Sequence, residues 1–103
     1  MGQLIYAESF ALPLDDRPLR HLQLVIHAKL RLRHSFAFSW EDDAAPHGSR
    51  GSIWITPGVP MRFQFAGGRE PSVNQQWLRQ LLDAANSAGG LRLLPEPNEE
   101  SRS

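Results

Sequence analysis

Ser35-Phe36-Ala37-Phe38-Ser39-Trp40 alternates large apolar side chains with small or polar ones, and Met61-Arg62-Phe63-Gln64-Phe65 repeats the pattern beyond the turn Thr56-Pro57-Gly58-Val59-Pro60. Successive side chains of a strand point to opposite faces, so this period of two predicts strands with one apolar and one wet face. Most of the aromatic residues fall on the apolar face, which assigns them to a core before any is offered to a ligand.

Working outward, Ser52 to Thr56 reads as the strand preceding the turn. It must bury either Ile53 with Ile55 or Trp54; two isoleucines win, since full burial of each contributes roughly 1.5 to 3 kcal/mol. Trp54 is thus expected on the wet face with Ser39, Arg62 and Gln64. The polar run from Glu41 to Gly51 reads as a loop. Upstream, Leu4 to Tyr6 and Ser9 to Leu12 suggest a hairpin, and Pro13, Asp15, Asp16 and Pro18 supply a turn and a helix start. Leu22, Val25, Ile26 and Leu30 then recur at helical spacing, with Arg20, Gln23, His27, Arg31 and His34 on the other side. Downstream, Ser72 and Gln75 have the spacing of a capping box. Val73, Trp77, Leu78, Leu81, Leu82 and Ala85 form the apolar side of that second helix, Gly89 is its expected stop, and Leu91 to Leu94 is a last strand. These elements predict an α+β domain in two layers, an antiparallel sheet packed by two helices in the order ββαβββαβ. The domain is expected to span residues 1–94, followed by a disordered acidic tail over 95–103.

The chain has 103 residues, enough for one domain burying roughly 60 to 70 per cent of its unfolded surface. It contains no cysteine, which removes disulfides, thiolate nucleophiles and cysteine-held metal centres, and suits a reducing, cytoplasmic setting. The opening Met1 to Tyr6 lacks a basic region leading into an apolar one, and no apolar run approaches the roughly 20 residues that span a bilayer, so neither secretion nor a membrane partner is expected. Eleven basic residues balance eleven acidic ones. Setting aside Glu96, Glu99, Glu100 and Arg102 leaves ten against eight, a mild positive excess. Lys29 is the one lysine and the other ten basic residues are arginine, the side chain suited to bidentate contacts.

Several segments together resemble a known family: Gly2 to Tyr6, Asp15-Asp16-Arg17-Pro18-Leu19-Arg20-His21-Leu22, Ser35 to Trp40, Trp54 to Phe63, and Ala85 to Pro97. The chain looks like a family of small uncharacterised actinobacterial proteins that often carry the label "ATP-dependent DNA ligase". That label implies an adenylated lysine in a Lys-x-Asp-Gly motif. Here the sole lysine stands in His27-Ala28-Lys29-Leu30-Arg31, so the label settles on no residue, although it points toward DNA metabolism.

No complete catalytic or cofactor motif is present. His47 with Asp42 and Asp43 offers metal-type ligands at no recognised spacing, and His21, His27 and His34 lack the i, i+4 placement that aims two imidazoles at one zinc. The glycine pairs at 67–68 and 89–90 precede no phosphate-binding loop. The leading constellation is a basic stripe of Arg20, His27, Arg31, Arg33 and His34, joined by Arg50, suited to phosphates. A second uses the wet sheet face, with Trp54 stacking a base beside Arg62 and Gln64. The expected function is a non-enzymatic binding or adaptor domain with nucleic acid as leading ligand. The alternatives are a nucleotide- or DNA-end-processing enzyme and a protein-binding or self-associating module.

Overall fold

A computed structural model describes residues 1–42 and 49–98. Its elements are β1 (Gly2–Tyr6), β2 (Phe10–Leu14), α1 (Asp16–Arg31), β3 (Phe36–Asp42), β4 (Ser49–Ile55), β5 (Met61–Gln64), α2 (Gln75–Ala85) and β6 (Leu91–Arg92). The α+β class and the order ββαβββαβ are as the periodicities predict. The strands divide between two sheets of three, β2-β1-β5, wholly antiparallel, and β4-β3-β6, in which β6 runs parallel to β3. The two aromatic stretches therefore face the interior from different sheets: Phe36 and Phe38 from β3, Phe63 and Met61 from β5. The break follows from pairing partners, because β5 takes the inward-facing β1 beside it (Leu4 opposite Phe63) rather than β4. α1 packs on β1, α2 on β3 and β6, and the helices on each other, with Leu19, Leu22, Val25, Ile26, Trp77 and Leu81 buried in the common core. Phe10 and Trp40, with ring centroids 5.1 Å apart, join the sheets at one margin.

The long loop expected from Glu41 to Gly51 is shorter than its polar composition suggests. Pairing continues through Trp40↔Gly51, Glu41↔Arg50 and Asp42↔Ser49, so Arg50 belongs to a strand. Gly51 is required where it stands: a Cβ there would lie 2.6 Å from the Trp40 indole, which covers the glycine across the ladder. Asp43 and His47 lie outside the described residues.

The start of α2 also differs from expectation. Asn74, not Ser72, is the cap, its Oδ1 accepting from Trp77 N–H at 3.1 Å, an interaction that contributes about 1 kcal/mol. The helix ends at Ala85 with Asn86 as C-cap, ahead of Gly89; the glycine that geometry demands is Gly90, whose φ of 81° and 2.6 Å approach of a built Cβ to Ala37 O let the chain enter β6. Asn74 is tied to the other helix by His21, which is fully buried. Asn74 N–H donates to His21 Nε2 at 2.9 Å, and the Nδ1 of the ring lies 2.8 Å from Arg17 O. Since Nε2 accepts, the proton of the neutral ring sits on Nδ1.

Contacts run on past residue 94, where the packed domain was expected to end. Arg17 forms a bidentate pair with Glu96, and Asn74 Nδ2 donates to Glu96 and to Pro97 O. Residues 99–103 lie outside the described residues.

Tyr6 joins the sheets from within. Its hydroxyl donates to Trp54 O at 2.9 Å and accepts from Thr56 N–H at 3.2 Å, meeting outward-facing backbone groups at the free edge of β4. Replacing Tyr6 by Phe strips both groups of their partner, and a loss of about 1 to 3 kcal/mol, read from the urea midpoint, is expected.

Two carboxylates couple stability to pH. Backbone N–H groups of Ala66 and Gly67 hold Asp16 below its ordinary value, and the Arg17 guanidinium, with the Asn74 amide, lowers Glu96 from 4.5 to about 2. Both are depressed in the folded chain, so their stabilisation is complete above the ordinary carboxylate pKa and is lost as pH falls through the folded values. Urea midpoints should decline on acidification below about pH 4.5 toward pH 2, and Glu96→Gln should flatten that decline.

Candidate nucleic-acid interface

The expected basic stripe along α1 is not one free surface. Arg20 is half-buried, its guanidinium paired with Glu70 at 2.6 Å and donating to Gln23 at 2.9 Å. His27 is exposed but turns its ring edge-on to Phe63 at 5.3 Å. Lys29 is buried, donating to Asn86 Oδ1 with its ammonium 6.0 Å from the Phe36 ring centre. It closes the gap between the helices rather than facing solvent.

The end of α1 remains open. Arg31, Arg33 and His34 are exposed, and Arg33 turns the chain with a φ of 62°. Helix C-termini repel anions through their unpaired carbonyls. Here Lys29 O accepts from Leu32 and His34 N–H, and Leu30 O from Arg33 N–H, which blunts that repulsion beneath the arginines.

His34 leads through Ser35 into β3, and Ser35 Oγ meets Thr56 Oγ1 at 2.8 Å just beyond the paired strands. At this end of the sheet β4 buries Ile55 and half-buries Ile53, leaving Trp54 62% exposed, the outcome predicted from the isoleucines. The ladder fixes what shares its face: Trp54, Ser52 and Arg50 on β4, Ala37, Ser39 and Glu41 on β3, and Arg92 beside Ser39 on β6. Arg50, Glu41 and Arg92 are exposed, and none of the three forms an ion pair among the described residues. α2 covers the opposite face, and among the described residues neither helix packs on this one.

Arg62 and Gln64 do not join Trp54. They lie on the outer face of the other sheet, opposite Ile5 and Gln3, because β5 pairs with β1. The structure thus brings together Trp54 and Arg50 on one face, leaves Arg31, Arg33 and His34 exposed at the end of α1 that leads into β3, and separates Arg20, His27 and Arg62 from that face. Arg92 was missed by sequence reasoning. Its signal is the alternation Leu91-Arg92-Leu93, which aims the arginine away from the buried Leu91.

Among the described residues no group of His, Asp or Glu is placed to hold a metal ion, and no helix is long and apolar enough to cross a membrane.

No curated protein and no solved structure matches the chain. The profile of a domain of unknown function, DUF7882, matches residues 1–96. The sheets, both helices and the docked Glu96 all fall inside that match, and the chain belongs to the DUF7882 family.

Proposed function

We propose that this chain is a non-enzymatic, cytoplasmic binding domain whose ligand is nucleic acid, held on the open face of the β4-β3-β6 sheet and the adjoining end of α1. The observation that carries the reading is the exposed Trp54, sharing with Arg50 and Arg92 a face that no helix covers among the described residues, with Arg31, Arg33 and His34 exposed where the chain leaves α1 for β3. Arginine donors bind phosphate oxygens bidentately. Glu41 is the single carboxylate among the residues that the ladder places on this face, so the local balance is positive although the chain as a whole is neutral. Lack of cysteine agrees with a reducing compartment.

The ligase label carried by similar proteins agrees with a DNA ligand but finds no support for its chemistry in this chain. Lys29 would have to leave its Asn86 partner and the aromatic wall of Phe36 to attack a nucleotide.

Fluorescence anisotropy with labelled DNA across a salt series tests the proposal. Affinity should fall linearly on a log–log plot, with a slope near 0.7 to 0.9 per phosphate contact. Arg50→Gln and Arg92→Gln should each weaken binding and lower the slope by about one, whereas Arg62→Gln, on the other sheet, should change neither. Salt-insensitive binding, or none by folded protein, ends the reading.

A further inference from the structure

At the end of the open face away from α1, β6 pairs with β3 only as far as Ser39↔Arg92, while β3 continues to Asp42. Where β6 stops, an open cavity of about 970 Å³ remains, at the upper end of the range for small-molecule sites. Trp40, Ser39, Ser52, Glu41, Arg50 and Arg92 contribute to its walls. Glu96 also borders it, but its carboxylate is already held by Arg17 and Asn74. The groups without an ion pair among the described residues are therefore the Glu41 carboxylate and the Arg50 and Arg92 guanidinium groups, beside the Ser39 and Ser52 hydroxyls, while the Trp40 indole is packed against Phe10 and Phe38 on the inner side.

Resting on the nucleic-acid reading above, we propose that the ligand is a single strand, with one base lying on Trp54 and another, unstacked, entering this cavity against Glu41. Trp54 and Arg50 stand four residues apart on β4, about 14 Å at ~3.4 Å per residue. Arg92, level with Ser39 and Ser52, is placed to take a phosphate between the two bases, and Arg50, directly opposite Glu41, a phosphate beside the second. In a duplex each base is covered by its neighbours and offers Trp54 no ring face, whereas a single strand splays its bases onto aromatic side chains. The cavity also discriminates. Glu41 when ionised only accepts hydrogen bonds, so it favours a base edge that donates, such as the cytosine amino group, over the acceptor oxygen that thymine presents at the same place.

The test is anisotropy with labelled oligo-dC, oligo-dT and a GC-rich hairpin duplex at low salt, using the whole chain. The single strands should bind more tightly than the hairpin, and oligo-dC more tightly than oligo-dT. Trp54→Ala should weaken single-strand binding about five- to hundredfold without affecting the hairpin. Glu41→Gln, whose amide can donate as well as accept, should narrow the gap between oligo-dC and oligo-dT. Equal affinity for hairpin and single strands with normal salt dependence would overturn this inference while leaving the nucleic-acid reading intact. So would unchanged single-strand affinities in both variants with unaltered circular dichroism. Failure of all three probes to bind would remove both.

Discussion

The structure depends on one buried asparagine. Asn74 is wholly enclosed, yet each of its polar groups is matched: N–H to His21 Nε2, C=O from Leu78 N–H, Oδ1 from Trp77 N–H, and Nδ2 to Glu96 and Pro97 O. Stranding any of them in the interior costs about 1 to 3 kcal/mol, so the residues supplying partners hold each other in place. α1 contributes His21, α2 begins at Asn74, and the segment after β6 is drawn in through Glu96, itself gripped by Arg17. The His21 ring lies 4.5 Å from that of Trp77, so polar knot and apolar core are adjacent parts of one interior.

That arrangement fixes where the surface can be functional. With α2 pinned against one face of β4-β3-β6, the other face is free of helices among the described residues, and its contents follow from register alone. Tyr6 adds a constraint, because its hydroxyl occupies backbone groups of Trp54 and Thr56 at the free edge of β4 and thereby blocks strand addition there. The face of the sheet, rather than this part of its edge, is what the molecule presents.

Element types and order were legible because they rest on local periodicity, and Trp54 was correctly turned outward by weighing it against Ile53 and Ile55. What escaped depends on residues distant in sequence. Nothing near Arg20 announces Glu70, fifty positions on, which takes it out of the basic stripe. Ser72 and Asn74 are both suitable caps by composition, and the choice falls to Asn74 because His21 waits for its N–H. His21 itself lies beside Leu22 on the apolar side of α1, where a polar residue has meaning only once its partners are known. The separation of Arg62 from Trp54 likewise turns on β5 choosing β1, a pairing across more than fifty residues that alternation within either strand cannot specify.

The two sheets are interleaved along the chain. One takes the first, second and fifth strands, the other the third, fourth and sixth, so any single cut between elements from β2 to β5 leaves at least one sheet without a member. Neither half can close its own interior, and the native state has to form and melt as one cooperative unit, with its rate governed by the slow search for distant strand partners.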